Sequence, residues 1–524
     1  MTVKGIRLWI ISCLVFMMLV VTACGNNGNG QQEEGAANAG SGQASSEPVK
    51  ISWLGNGTAG LYPEEDSYVV QKLNERFNVE LEVVEATSTN EQEMSMLYAS
   101  GDIPNHFLVS ANGIANVIEQ GLARTVPVGM IQEVAPNLWA ATLENYPLLE
   151  RMSIYKDGEL LAIPQGTREL FPLTAVRTDW LEELGLDMPT SLEELEEVAR
   201  QFTEEDPDGD GQNNTYAFSM TTGYHNIYTI AAAFGISLPG GTVKDDMWLE
   251  GEDGRLIKAQ VSENFKELTM YLANLYEKGY IYPDVNVKDD GALFSDGIVG
   301  MRTAGWTALM PKYRPSDWYA MTFTKNPQAT TDYLPPLMGP NGEEAVFENQ
   351  SSVWRYTGIG KDTTDEQLKK ILEIMDTQLV DMDVHNLIWR GEEGVHYTVN
   401  ENGMAVLTEE YSSQEKQAEA GLKFFIVNNR NEEQMELSFG SEAEPQRKVQ
   451  ENYKTKEQLI PSGTIIESAS KYGADVEKVE KEFFLNVVTG IWDAEKEWDS
   501  YVKRWHAAGG EEITNEVNEI YENL

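Results

Sequence analysis

The sequence is nearly free of cysteine, with only Cys13 and Cys24 in 524 residues. Cys13 falls inside an apolar leader-like run and Cys24 just after it, so no thiol pair remains for a disulfide framework, a metal site or a nucleophile. A chain of this length buries a core without such staples. Basic residues are also scarce: 39 Lys and Arg stand against 85 Asp and Glu, for a formal charge of -46. Nucleic acid and anionic lipid surfaces are poor partners for that field; a locally basic cleft leaves an acidic ligand open, and a neutral ligand is simpler. The five histidines, at 106, 225, 385, 396 and 506, never fall in an HExxH spacing, which removes a zinc protease. No GxSxG elbow and no P-loop occurs, so neither a serine hydrolase nor an ATPase is indicated. Acids are plentiful, and two carboxylates suffice for glycoside hydrolysis, but no short motif nominates a pair. The apolar run from Leu8 to Val21 is shorter than the ~20 residues of a membrane span.

What is present begins with that run. Lys4 and Arg7 precede it and Val21-Thr22-Ala23-Cys24 closes it, the layout of an export signal whose end resembles the lipobox of bacterial lipoproteins. Residues 1–23 are read as a signal peptide and Cys24 as a diacylated N-terminus. Two acyl chains anchor a protein where one is marginal, at ~0.8 kcal/mol per buried CH2. Residues 25–47 contain no aromatic or large aliphatic side chain, so 24–47 is expected to be a flexible tether reaching roughly 25 Å from the lipid surface.

The rest alternates strands and helices. Val49 to Leu54 reads as a strand, Tyr68 to Phe77 as a helix, and Val79, Leu81 and Val83 as a second strand. Pro189-Thr190-Ser191 predicts a helix start with a capping box from Ser191 to Glu194, followed by an apolar face of Leu195, Val198, Ala199 and Phe202. Another helix is expected near Thr364 to Leu379. The pattern predicts an α/β chain with mostly parallel sheets.

Immediately after the helix at 192 comes DPDGDGQNNTY, residues 206–216. It places Asp206, Asp208 and Asp210 at the first, third and fifth positions of an EF-hand loop, with the Gln212 carbonyl at seven and Asn214 at nine, but Ala217 stands where the closing Glu belongs. A paired calcium sensor is therefore excluded.

The block VRTDWLEELGLDMPTSLEELEEVARQFTEEDPDGDGQNNTYAFSM, residues 176–220, together with ASGDIPN at 99–105, LFSDGIVGMRTAGW at 293–306, GEEGVHY at 391–397 and VVTGIWDAEKEWDSYV at 487–502, resembles the family 1 extracellular solute-binding proteins of ABC sugar importers, in their lipid-anchored Gram-positive branch. The resemblance implies a two-lobe α/β fold of the periplasmic-binding-protein type, with a hinge and an interlobe cleft. Lobe one would take 48–163 plus 334–380, and lobe two 164–333 plus 381–524. It also implies a structural calcium held by Asp206, Asp208, Asp210, Gln212, Asn214 and Thr215, although relatives commonly carry acids where this chain has Asn214 and Thr215.

Sugar sites combine flat aromatics with carboxylates, amides and Arg. Trp306, after Ala304-Gly305, matches a stacking position of sugar-binding relatives. Trp53, Asn56 and Tyr62 follow from the end of the first strand, where ligands of open α/β sheets sit. Gln165 and Arg168 lie in the first crossing segment, Trp354 and Arg355 in the return strand, and Asp102 in the SGDIPN turn, where a turn cap is an equal reading. Trp180 is assigned to packing. The expected protein is a monomeric, non-enzymatic carrier on the extracellular face of the membrane, anchored through Cys24, that captures an oligosaccharide and delivers it to permease subunits. The alternatives are a secreted glycoside hydrolase and an oligopeptide receptor of the same fold.

Overall fold

The computed structural model describes residues 47–524 apart from 59, 111–112, 167–171, 221–224, 239–246, 286–289, 313, 341, 350–352, 354, 402, 428–431 and 462–463. Cys24, the tether, Arg168 and Trp354 lie outside the described residues, as does the side chain of Trp306.

The strands that position the site are, in chain order, β1 (Val49–Leu54), β2 (Val79–Val83), β3 (His106–Ser110), β4 (Ile163–Gln165), β5 (Leu173–Arg177), β6 (Tyr216–Phe218), β7 (Val299–Ala304), β8 (Thr331–Tyr333), β9 (Val346–Asn349), β10 (Arg355–Ile359) and β11 (Lys454–Glu457). The opening is the expected β-α-β unit: β1 pairs parallel to β2 through Val49↔Val79 to Trp53↔Val83, and the helix Tyr68–Phe77 between them buries Val69, Val70, Leu73 and Phe77. The two larger sheets are ordered β2-β1-β3-β10-β4 and β8-β5-β7-β6. Both are mixed, which corrects the expectation of mostly parallel sheets. β10 returns from far along the chain and lies antiparallel to both β3 and β4, and β5 runs antiparallel to β7 and β8. Each lobe thus receives strands from chain arriving out of the other, and such strands enter in either direction.

Each sheet carries its own core. The first gathers Ile51, Trp53, Phe107, Leu108, Tyr356, Ile371 and Leu372, and extends to Val384, Ile388 and Phe424 to Val427. Val384, Ile388, Ala420, Leu422 and Phe424 to Val427 therefore pack with the first sheet. The reason is local: the Lys423 amide donates to the Ile388 carbonyl at 2.7 Å, and the Asn56 amide to the Phe424 carbonyl at 2.8 Å. The second core joins Trp180, Phe202, Phe265 and Leu272 to Phe483, Trp498, Tyr501, Trp505 and Val517 from the C-terminal helices. A fully buried side chain of this size contributes about 1.5–3 kcal/mol.

Helix Leu192–Glu204 shows how sequence becomes placement. Ser191 accepts the Glu194 amide, but the Glu194 carboxylate turns to the Thr190 amide and hydroxyl, at 2.8 and 2.7 Å, so only half of the expected capping box forms. A complete box instead opens the helix Asp365–Val380, between Thr364 and Gln367. Leu195, Val198, Ala199 and Phe202 are buried in the second core as the 3.6-residue spacing requires. No helix among the described residues is long and apolar enough to cross a membrane.

Candidate functional site

In the first sheet, Ser110 at the end of β3 is level with Arg355 at the start of β10, and Arg355 is level with Gln165 at the end of β4. β1 ends beside them, and Asn56 accepts a hydrogen bond from Arg355 Nη1 at 2.7 Å. Asn56, Gln165 and Arg355 therefore share one edge, the carboxyl edge of β1 and β3, where open α/β sheets place ligands. In the second sheet Leu173 is level with Ala304, so the end of β7 and the start of β5 form the corresponding edge. Eight residue steps link Gln165 on the first edge to Leu173 on the second, so the two edges are at most about 28 Å apart.

The first edge is backed by a directional hydrogen-bond chain. Gln165 Nε2 donates to Thr357 Oγ1 at 2.5 Å, Thr357 Oγ1 lies 3.4 Å from His106 Nε2, and His106 Nδ1 lies 3.2 Å from the Leu54 carbonyl. A carbonyl only accepts, so Nδ1 carries the imidazole proton and Nε2 receives the Thr357 hydroxyl. Burial pushes His106 down to about 3, against the weaker upward pull of the Leu54 bond, so the ring is neutral. Burial also lowers the Arg355 guanidinium.

The remaining expected residues divide. Trp53 is 1% exposed and stacks on His106 with ring centroids 3.7 Å apart, so it belongs to the core behind the edge. Tyr62 is half-buried beyond β1 and shares hydrogen bonds with Thr87, at 2.9 Å, and Glu93, at 3.4 Å. Asp102 is exposed and precedes the amino end of β3, the opposite edge; its amide donates to Ser100 Oγ in a turn. Trp306 opens a short 3-10 element, Trp306–Leu309, directly after the second edge.

Sequence reasoning missed a polar group on that second edge. Asn226 Nδ2 donates to the Ser219 carbonyl and hydroxyl and to Asp290 Oδ2, at 3.0, 3.2 and 2.8 Å, while its Oδ1 accepts the Thr303 amide at 3.1 Å. Arg302 Nη2 donates to Asp290 Oδ1 at 2.7 Å, and its guanidinium lies 4.2 Å from the Trp318 ring. The only signal in the sequence was Arg302 inside the GMRTAGW stretch. Asn226, Asp290 and Trp318 are separated too widely to be grouped by spacing.

The acidic loop lies elsewhere. It joins helix Leu192–Glu204 to the amino end of β6, away from the ligand edge. The Asp206, Asp208 and Asp210 ligand atoms all lie within 4.8 Å of one another. Backbone amides of Asp210 and Gly211 donate to Asp206, and those of Gln212 to Asp210. Asn214 Nδ2 reaches Asp210 Oδ2 at 3.3 Å, whereas the Thr215 hydroxyl donates to the Phe202 carbonyl at 2.7 Å and fastens the loop to the helix. Burial, together with the neighbouring Asp206 and Asp210 carboxyls, pushes Asp208 up.

No family model matches the sequence. Over 496 residues the chain is 24% identical to the polygalacturonan/rhamnogalacturonan-binding protein YtcQ of Bacillus subtilis, covering 90% of this chain and 91% of that one. It is 22% identical over 459 residues to lipoprotein LipO of the same organism, covering 83% and 85%. Its fold matches the Streptococcus pneumoniae ABC-transporter substrate-binding protein FusA, an EF-hand mutant solved with fructo-nystose, at a TM-score of 0.61 and 19% identity over 90% of this chain and 99% of that one.

Proposed function

We propose that the chain is an extracellular solute-binding protein of an ABC sugar transporter that captures an oligosaccharide between its two lobes and hands it to separate permease subunits, a reading supported by its likeness to YtcQ and by the fold it shares with FusA. The observation that carries this reading is the pair of polar sheet edges tied together by one short crossing segment, with Asn56, Gln165 and Arg355 on the first. Clefts between domains are where ligands are enclosed, and hinge closure around the ligand is the matching motion. In this reading lobe one takes 48–163 and 334–380, and the packing of Val384, Ile388 and Phe424 to Val427 on its core supports adding their segments. Tyr62 and Trp306 join the candidate contacts at the cleft mouth. The protein performs no covalent chemistry in this reading, acts as a monomer, and is held to the outer membrane face by lipid on Cys24.

A calcium ion in the acidic loop completes the proposal. The loop fits a cation because three carboxylates converge while only amides and side-chain amides of the same loop offset them. Asp206, Asp208, Asp210, Asn214 and the Gln212 carbonyl would hold it, with an oxygen-rich set suited to Ca2+. Its distance from the ligand edge gives the ion a structural role.

The test is thermal unfolding of residues 47–524, the compact unit, against fructo-, xylo- and galacturono-oligosaccharides with short peptides as controls. At 100-fold excess over Kd a ligand adds about 2.7 kcal/mol to the folded state. Stabilisation by a glycan that is recovered intact supports a carrier. Recovery of cleaved glycan replaces it with the hydrolase reading, and stabilisation by peptides alone removes the sugar.

A further inference from the structure

Building on the carrier reading, we propose that Asn226, Asp290, Arg302 and Trp318 form the second lobe's face of the ligand site, and that this face takes an uncharged saccharide unit. The four side chains come from separate segments and meet at the carboxyl edge of β6 and β7. Asn226 fixes the place: its amide clasps Ser219, just past β6, and Thr303, one residue before the end of β7. Its Nδ2 also orients Asp290 by holding Oδ2, which leaves Oδ1 facing Arg302.

Arg302 lies between a carboxylate and an aromatic plane. Trp318 reaches it because Gly291 carries no side chain; a Cβ there would come within 2.8 Å of the Trp318 ring. Phe294 supports the indole edge-on at 5.2 Å. The stack fixes the guanidinium plane. Arg302 Nε has no partner among the described residues, and each Asp290 oxygen retains acceptor capacity beyond its one bond. The Asp290 and Arg302 side chains are 13% and 16% exposed, so each is largely buried but keeps a small opening to solvent.

The charge balance selects the ligand. Asp290 and Arg302 sum to zero, and Arg302 holds Asp290 ionised below the usual carboxylate range although burial alone would raise it. A sugar hydroxyl both donates and accepts, which matches an acceptor beside a donor. A uronate carboxylate can only accept. It would bring a second negative charge within reach of Asp290, which one Arg302 already balances, in a chain of net charge -46.

The deciding experiment compares trigalacturonate with its methyl ester, which share ring stereochemistry and differ in charge, beside neutral xylo- and fructo-oligosaccharides. Unfolding midpoints and titration calorimetry are measured on wild type, Arg302→Lys and Trp318→Phe. The expected result is that uncharged sugars bind and free trigalacturonate does not, and that Arg302→Lys weakens the uncharged sugar at least ten-fold, about 1.4 kcal/mol, with the ligand-free midpoint unchanged. If Arg302→Lys lowers that midpoint, Trp318→Phe, which keeps a ring against Phe294, decides by the same ten-fold criterion. Preference for the charged trimer overturns the uncharged assignment, and wild-type affinity in both variants overturns the face itself; the carrier reading survives either result. If no glycan binds at all, the carrier reading falls and takes this one with it.

Discussion

The buried His106 makes acid sensitivity of the first lobe a quantitative expectation. In the folded protein its ring titrates at about 3, whereas an unfolded histidine titrates near 6.5. The folded value is depressed, so as pH falls through the unfolded value the unfolded chain takes up a proton that the folded one refuses. Stability is therefore full above about pH 7 and declines below it. The loss amounts to about 2 kcal/mol at about pH 5 and about 3 kcal/mol at about pH 4. Other groups titrate in this window, so the assay is a difference. Urea unfolding of wild type and His106→Gln is followed at several pH values by tryptophan fluorescence, to which Trp53 contributes through its stack on the imidazole. Glutamine removes the titration and the ring stacked on Trp53, so the variant is the less stable protein at neutral pH; because only wild type then loses stability on acidification, the gap narrows by about 2 kcal/mol on going to about pH 5. Parallel pH profiles for the two proteins would refute the neutral, proton-refusing ring and the hydrogen-bond chain that fixes its tautomer.

The remaining expectations concern other parts of the chain. Calcium raises the unfolding midpoint of wild type, and Asp208→Ala abolishes that rise; without calcium the raised Asp208 makes the loop less stable as pH climbs through the carboxylate range, and the ion removes that dependence. Lys258→Met strands Glu480, which accepts from both Lys258 Nζ and Trp505 Nε1 at 2.9 and 2.7 Å in a fully buried setting, and costs about 3–5 kcal/mol in denaturant melts. Cys24→Ser releases the protein from membranes into the medium, read by fractionation.

The elements legible in the sequence are those whose own side chains decide them. β1 and the helix at Tyr68 needed only alternation and 3.6-residue spacing, and the acidic loop announced itself through Asp206, Asp208 and Asp210. What stayed hidden depends on who the neighbours are. Arg355 is legible as part of a return strand, but not that Arg355 to Ile359 enters antiparallel between β3 and β4. Trp53 lies one residue before the end of β1, near the ligand edge, yet its face is settled by His106 and Phe425. The contact between Asn56 and Arg355 joins residues 299 positions apart, and the Asn226 to Trp318 group collects residues from one strand and three helical elements. Such contacts are products of topology, and no local pattern encodes them.

The interleaving of the two lobes also governs the order in which the molecule can come into being. The first sheet is incomplete until Arg355 to Ile359 slots in between β3 and β4, and the second core lacks Phe483, Trp498 and Val517 until the last helices exist. During synthesis the nascent polypeptide therefore cannot bank one finished lobe while making the other. Its hydrophobic strands stay open almost to termination, the condition in which a nascent chain most depends on a holding chaperone.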